Sequence, residues 1–183
     1  MTERLCRHVV LVGMMGAGKT AVGTALARLL GVTFRDTDDE IARAAAMTIP
    51  EIFARDGEAF FRQKESQILL RLLAEPPGVL STGGGLFLSE ANRTAISASG
   101  VSVWLKADLD LLWSRVRQRT TRPLLRTADP RATLAALLAE RAPVYALADV
   151  TVPSEPGLAI EAMAARVRDA VRPHLTPTEA RQP

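Results

Sequence analysis

The segment GMMGAGKT at residues 13–20 has the residue types and spacing of a phosphate-binding loop. Its glycines let successive backbone N–H groups curl around an anion, and the helix that follows adds the positive end of its dipole. Lys19 supplies a point charge to the β- and γ-phosphates, and the Thr20 hydroxyl is placed to ligate Mg²⁺. A simple glycine turn would not explain Lys19 and Thr20 together. The predicted nucleotide-binding residues are Gly16, Ala17, Gly18, Lys19, Thr20 and Ala21.

A second cluster, RDTDDEI at residues 35–41, is acidic and follows a short apolar run. If the chain is extended there, Asp36 and Asp38 point to the same side, beside the phosphate loop. Asp36 lies closer to the strand end and is predicted to serve the Mg²⁺ shell. Asp38 is predicted to accept a substrate hydroxyl and act as the base for phosphoryl transfer. Asp39 and Glu40 are interpreted as ordinary acids of a helix N-terminus.

Three consecutive glycines occur in STGGGLF at residues 81–87. Each of Gly83, Gly84 and Gly85 loses backbone entropy on folding and contributes no side chain to a core. One interpretation is a flexible turn. The other is a ring-shaped substrate that lies against the main chain, where backbone N–H groups can bond its hydroxyls or carboxylate. We therefore predict that all three glycines contact a substrate.

Arginines supply most of the positive charge, because lysine occurs only at positions 19, 64 and 106. A planar guanidinium binds a carboxylate in a bidentate fork, so two such arginines would select an acidic substrate. The segment RTTRPLLR at 119–126 is predicted to be a loop. Arg122 on a closing loop could neutralise charge on a transferred phosphate, and Arg119 could stack on adenine. A solvated loop is the alternative for both.

Apolar runs and helical spacing predict the elements that position these residues. Strands are expected at 8–13, 32–35, 79–81, 101–105 and 150–152, and helices at 19–30, 38–46, 49–73, 89–99, 109–118, 129–147 and 157–171. This alternation predicts a parallel α/β sheet with helices on both faces. Ligands of such sheets bind beyond the carboxyl ends of the strands, where the loops described above lie.

Composition limits the class of protein. The chain has 183 residues, 48% hydrophobic and 23% charged, which suits one folded domain. No apolar run is long enough for a membrane span, and the N-terminus lacks the layout of a signal peptide. A single cysteine, Cys6, suits a reducing cytosol, so we expect a cytoplasmic protein with no membrane partner. The net charge is +3, and the sequence contains no stretch of basic residues interleaved with aromatics, which argues against nucleic-acid binding.

Taken together, these motifs resemble those of the shikimate kinase family. The matching pieces are GMMGAGKT, DTD (36–38), FFRQKE (60–65), STGGG (81–85), RPLL (122–125) and ERAPVY (140–145), in the family's order and at similar spacing. They span roughly residues 8–152. A GTPase would instead need N-K-x-D, and a transport ATPase an LSGGQ-like signature, and neither is present.

The resemblance implies a three-layer α/β/α P-loop kinase fold, like that of nucleoside monophosphate kinases, with a five-stranded parallel sheet in the order 2-3-1-4-5. It implies ATP-dependent phosphorylation of the 3-hydroxyl of shikimate, with one Mg²⁺ ion, in aromatic amino acid biosynthesis. It also implies that Arg122 is the lid arginine and that Asp36 helps to hold Mg²⁺. The implied shikimate contacts are Asp38, Arg62, Gly83, Gly84 and Arg141, and the glycine run adds Gly85 to the predicted substrate-binding residues.

For domain organisation we expect one kinase domain over residues 1–173, a helical substrate-binding region near 37–61 and a short lid near 119–128. Residues 174–183 are expected to be a frayed tail, and the family is commonly monomeric. Two other functions remain open. A gluconate kinase of the same superfamily would also bind a carboxylate, and a silent ATP-binding module is disfavoured because Lys19, Asp38 and Arg122 are all present.

Overall fold

The computed structural model of the protein describes residues 5–118 and 123–175. Strands and helices alternate through these residues, as the sequence predicted. The strands are β1 (His8–Val12), β2 (Phe34–Asp36), β3 (Val79–Ser81), β4 (Gly100–Lys106) and β5 (Val150–Pro153). The α-helices are α1 (Lys19–Leu30), α2 (Thr37–Ala45), α3 (Ile49–Leu73), α4 (Glu90–Ser99), α5 (Leu109–Val116), α6 (Pro130–Tyr145) and α7 (Ile160–Leu175).

The strands of the described residues form one parallel sheet in the order β2-β3-β1-β4-β5, which confirms the predicted fold. Strand β1 is central: Val10 pairs with Leu80 of β3 on one side and with Ser102 of β4 on the other. Its valines and leucine have no solvent exposure, because strands and helices cover them on every side. The central strand therefore delivers the loop that follows it to the middle of the carboxyl edge.

The two faces of the sheet follow from the handedness of the connections. The β1-α1-β2 connection runs across the sheet in the opposite direction to the later ones, so right-handed crossovers place α1 on one face and α4 on the other. Consistent with this, α1 packs against α7, and α4 packs against α3. The core is built mainly from aliphatic side chains, as the scarcity of aromatic residues requires.

Helix ends carry recognisable local signals. Gly31 ends α1 in the left-handed conformation (φ 66°), and Asp129 caps α6 by accepting a hydrogen bond from Ala132 N at 3.0 Å. A capping box between Thr48 and Glu51 begins α3. Gly57 (φ 83°, ψ 174°) interrupts the helical geometry of α3. This kink separates the first two turns of α3 from the longer segment that carries Arg62.

Some predicted boundaries were wrong by a few residues. Strand β2 begins at Phe34 rather than at 32, and α7 begins at Ile160 because Gly157 adopts a turn with φ 76°. Helix α7 also continues to Leu175, so the first two residues of the predicted frayed tail are helical. Positions 119–122 and 176–183, which include Arg119 and Arg122, lie outside the described residues.

Candidate active site

The phosphate loop joins β1 to α1 and is shaped by its backbone. Gly16 has φ 82°, and a Cβ at this position would lie 2.7 Å from Cγ1 of Val116, so only glycine fits there. The ammonium group of Lys19 is buried and donates to the carbonyl oxygens of Gly13 and Met14 at 2.8 and 2.9 Å. The loop and its lysine therefore form a compact cationic cradle at the N-terminus of α1.

Thr20 and Asp36 meet at the edge of this cradle. The Thr20 hydroxyl donates to Oδ2 of Asp36 at 2.8 Å, while Oδ1 of Asp36 accepts from the backbone N–H of Asp38 at 3.0 Å and caps α2. One carboxylate thus orders a helix start and touches the threonine of the phosphate loop. A hydroxyl and a carboxylate side by side are hard oxygen ligands of the kind that Mg²⁺ uses.

The predicted extended geometry of Asp36 and Asp38 was wrong. The strand ends at Asp36, and Asp38 lies in the first turn of α2, because the Asp36 side chain caps that helix. The two carboxylates nevertheless both line the large cavity beside the phosphate loop. Glu40 also departs from the interpretation as an ordinary N-terminal acid. It is buried and pairs with Arg43 and Arg71, which ties α2 to α3.

Two cavities adjoin at the carboxyl edge of the sheet. The larger, of about 910 Å³, is lined by residues 15–22, which include most of the phosphate loop, and by Asp36. The smaller, of about 430 Å³, is lined by Arg62, Arg141 and residues from the start of α3. Four residues line both cavities: Met15, Asp38, Gly83 and Gly84. Asp38 is therefore the acid at the junction between a phosphate site and a cationic pocket.

Arg62 and Arg141 enter the smaller cavity from different helices. Arg141 of α6 is buried, whereas the side chain of Arg62 of α3 is 29% exposed. Arg62 donates to Oε2 of Glu65 at 2.9 Å and to Oε1 of Glu58 at 3.2 Å. Two guanidinium groups in one partly apolar pocket suit an acidic ligand, whose carboxylate would compete with the exposed Glu58 for Arg62.

Glu65 is a site residue that the motif analysis did not single out. Its side chain is 1% exposed, lines the smaller cavity and lies one helical turn after Arg62. Burial raises the pKa of this carboxyl to about 7, the positive charge of Arg62 opposes that rise, and the negative charge of Asp38 adds to it. The i,i+3 spacing of Arg62 and Glu65 in FRQKE was the available signal.

The triple glycine is crowded by the protein's own side chains. A Cβ at Gly83 would lie 2.7 Å from Oε1 of Glu65 and 2.8 Å from Oδ1 of Asp38, and one at Gly85 would overlap the guanidinium of Arg62. None of the three has the positive φ that favours glycine. Neither interpretation from the sequence, a flexible turn or a substrate against the main chain, included the side chains of the site, which also need this space.

Thr37 and Arg115 are two further residues that the sequence did not reveal. Thr37 is fully buried, and its hydroxyl accepts a hydrogen bond from the N–H of Gly83 at 3.1 Å. Arg115 of α5 lines the larger cavity and donates to the carbonyl of Gly16 at 3.1 Å. The first fixes the glycine turn to α2, and the second places a cation beside the phosphate loop.

Comparison with known proteins agrees with this geometry. The profile of the shikimate kinase family matches residues 15–172. The shikimate kinase of Cereibacter sphaeroides is 64% identical over 178 residues, which are 96% of this chain and 89% of that protein. The one from Ruegeria pomeroyi is 65% identical over 163 residues, covering 89% and 84%. The chain belongs to the shikimate kinase family.

Solved structures of the shikimate kinase family share the architecture. Shikimate kinase from Acinetobacter baumannii in complex with shikimate has a TM-score of 0.88 at 37% identity, covering 93% of this chain and 96% of that chain. A gluconokinase from Sinorhizobium meliloti has a TM-score of 0.52 at 20% identity, covering 94% and 98%. Gluconokinase therefore shares the fold, while the closer likeness in sequence and shape is to shikimate kinases.

Within the described residues, no helix is both long and apolar enough to cross a membrane.

Proposed function

We propose that the protein transfers the γ-phosphoryl group of ATP to the 3-hydroxyl of shikimate, forming shikimate 3-phosphate and ADP. The observation that carries this proposal is the position of Asp38, which lines both the phosphate cavity and the cationic pocket. A carboxylate at that junction is placed to accept the proton of the attacking hydroxyl as the new O–P bond forms and the bond to ADP breaks.

The phosphates of ATP are bound by the loop between β1 and α1. The backbone from Gly16 through Ala17 and Gly18 to Ala21 would surround the anion, and the helix dipole favours it; in this structure the N–H of Ala17 donates to the Met14 carbonyl at 3.1 Å. The Lys19 ammonium, now held by loop carbonyls, would move to the β- and γ-phosphates when the nucleotide binds. Arg115 lines the same cavity and donates to the Gly16 carbonyl, so it is placed to contact the nucleotide.

The residues present also fit one Mg²⁺ ion. The Thr20 hydroxyl and the Asp36 carboxylate lie 2.8 Å apart beside the loop, and we propose that they hold the ion directly or through water. Among the described residues, no three His, Cys, Asp or Glu side chains are grouped as a metal site. That agrees with Mg²⁺ bound by one or two protein ligands together with phosphates and waters. When bound, the ion neutralises charge on the β- and γ-phosphates.

The acceptor occupies the smaller cavity. Arg62 and Arg141 bind the shikimate carboxylate, because both guanidinium side chains line this cavity and a guanidinium suits a carboxylate. The backbone of Gly83, Gly84 and Gly85 forms one wall, against which the ring lies. In this arrangement the carboxylate is fixed at the arginines and the reacting hydroxyl faces Asp38, which orients the acceptor towards the nucleotide.

The remaining parts of the proposal concern organisation. We propose that residues 1–173 form one kinase domain, with a substrate-binding region near 37–61 and a lid near 119–128 that carries Arg122 to the γ-phosphate and Arg119 to adenine. Leu124 supports the lid assignment, because it lines the acceptor cavity two residues after Arg122. We also propose a cytoplasmic monomer, from the single cysteine and the family resemblance.

The first test is substrate-dependent ADP release, measured in a coupled assay with ATP, Mg²⁺ and a panel of shikimate, quinate and gluconate. Shikimate should give the highest kcat/KM. An enzyme that releases ADP with gluconate but not with shikimate would overturn the proposed acceptor. Omission of Mg²⁺ should abolish turnover, and its restoration should recover it, if Thr20 and Asp36 hold the ion.

The second test separates the two aspartates. Asp38→Asn should lower kcat by about 10²- to 10⁴-fold, the usual contribution of a positioned base, and leave nucleotide binding nearly intact. The matched control is Asp39→Asn, because Asp39 is exposed and lines neither cavity. If Asp38→Asn instead abolished nucleotide binding, Asp38 would belong to the metal shell, and the roles of Asp36 and Asp38 would be exchanged.

A further inference from the structure

Tyr145, the last residue of α6, is fully buried and lies outside the lining of both cavities. Its hydroxyl donates a short hydrogen bond to the carbonyl oxygen of Gly84 and lies 3.9 Å from the sulfur of Met14. A buried hydroxyl without a hydrogen-bond partner costs free energy. The bond to the Gly84 carbonyl therefore stabilises the position of this side chain. Burial also raises the pKa of Tyr145, which keeps the hydroxyl protonated as a donor at neutral pH.

The hydrogen bond to Gly84 fixes the orientation of a peptide group in the acceptor wall. A trans peptide is planar, so its carbonyl and its N–H point in opposite directions, and the described residues contain no cis bond. Because the Gly84 carbonyl faces buried Tyr145, the N–H of Gly85 points to the other side of the turn. Gly85 lines the acceptor cavity, whereas Tyr145 does not line it.

Tyr145 also lies against the acceptor-binding arginine. Arg141 precedes it by one helical turn on α6, and both side chains approach Gly84: a Cβ there would lie 3.3 Å from Nη1 of Arg141 and 3.6 Å from the Tyr145 oxygen. The Tyr145 ring packs near Trp104, with ring centroids 6.1 Å apart. The Trp104 ring lies beside Gly13 at the start of the phosphate loop, where a Cβ would come within 3.3 Å of it. The tyrosine is thus packed between both substrate sites.

We propose that Tyr145 is a positioning residue of the acceptor site, which holds the Gly84–Gly85 peptide and Arg141 in the orientation that binds the carboxylate and ring of the acceptor. This inference rests on the proposed function, because it concerns the same acceptor. It assigns Tyr145 no contact with substrate. Its effect is to keep the wall of the cavity preorganised, so that binding does not have to order it.

The test is Tyr145→Phe, which removes one oxygen and leaves the packing. The KM for shikimate should rise about three- to tenfold, the range of one lost hydrogen bond, while the KM for ATP and the kcat stay within about twofold. The matched control is Leu134→Ala, a fully buried residue of the same helix outside both cavities. That variant should lower Tm without changing the shikimate KM. Equal shikimate KM values for wild type and Tyr145→Phe would overturn the inference.

A second measurement uses the wild-type sequence, so it does not depend on whether the Tyr145→Phe variant folds. Tyr145 is the only tyrosine of the chain, so growth with 3-fluorotyrosine places a single fluorine label in the protein. Its ¹⁹F resonance should shift on saturation with shikimate and much less with ADP. A resonance that does not respond to shikimate would contradict the positioning role. If the wild type does not release ADP with shikimate, the proposed function is overturned, and this inference with it. If the wild type is active, a negative result in either Tyr145 measurement overturns only the positioning role of Tyr145.

Discussion

Replacing Gly85 with alanine should impair acceptor binding specifically, because of where the added methyl group would go. An ideal Cβ at this position overlaps the guanidinium of Arg62, so the arginine must leave its place. The obstacle is the far end of a flexible side chain, not backbone, and the displaced group can turn towards solvent. Glu65 loses its ion-pair partner, but its pKa is raised to about 7, so protonation near neutral pH removes the unpaired charge at small cost.

The size of the effect follows from the bonds that Arg62 would make. Hydrogen bonds to charged groups contribute about 1.5–3 kcal/mol each, and displacement of the fork forfeits at least one. A loss of about 3 kcal/mol corresponds to a rise of roughly 100-fold in the dissociation constant of shikimate, since every 1.4 kcal/mol is tenfold. The free energy of unfolding should change by no more than about 1 kcal/mol, because Arg62 is partly exposed and the buried Glu65 can take up a proton when its partner leaves.

The assay is shikimate and ATP titration by coupled ADP release, with shikimate binding measured by calorimetry and folding by Tm. Alanine at the two neighbouring glycines supplies graded controls. At Gly84 the nearest atom to a Cβ is 3.3 Å away, so we expect a smaller rise in shikimate KM, still larger than any change for ATP. At Gly83 the Cβ meets Asp38 at 2.8 Å, so kcat should fall. A folded Gly85→Ala enzyme with wild-type shikimate affinity would refute this reasoning.

Three further variants test the charges of the acceptor cavity. Arg62→Lys should raise the shikimate KM, because a point charge cannot reproduce a bidentate fork, and an unchanged KM would exclude that contact. Glu58→Gln should lower the shikimate KM by up to about fivefold, since an exposed ion pair of about 0–1 kcal/mol no longer competes for Arg62; a raised KM would contradict competition. Glu65 has a folded pKa raised from 4.5 to about 7, so it lowers the unfolding free energy as pH rises through that window. Glu65→Gln should not show this loss, so its unfolding free energy relative to wild type should increase by about 3 kcal/mol from pH 4.5 to pH 7 in denaturant titrations. Parallel pH profiles of the two proteins would contradict the raised pKa.

Local signals explain why much of the fold could be predicted from sequence. The strand, loop and helix around residues 8–30 are signalled by residue patterns within short stretches of the chain, although β1 itself pairs with β3 and β4 far along the sequence. The cap at Asp129 depends on a neighbour three residues away. No local signal of this kind predicts the order of the strands in the sheet. That order was implied by resemblance to a family, since the alternation of apolar runs predicts parallel strands without ordering them.

The acceptor site was harder to predict because long-range contacts define it. Asp36 and Asp38 were expected to align through an extended backbone, but the Asp36 side chain begins a helix at once, and the helix turn brings Asp38 to the cavity. Tyr145 meets Gly84 across 61 positions of sequence, and Arg115 meets Gly16 across 99. Residue spacing in the sequence does not predict contacts between residues so far apart in the chain. The folded sheet brings these residues together at its carboxyl edge.

The glycines at 83–85 show what a missing Cβ can and cannot indicate. Loss of the side chain signals that something comes close to the backbone, and the sequence offered a substrate as that neighbour. In the structure, Asp38, Glu65 and Arg62 already occupy the approach to Gly83 and Gly85, while Gly84 is less crowded. Because the groups that are proposed to bind and activate the acceptor themselves need the space, any side chain added there would displace them even with no substrate bound. The requirement for glycine is therefore set first by the assembly of the site, and the binding of a ring follows from it.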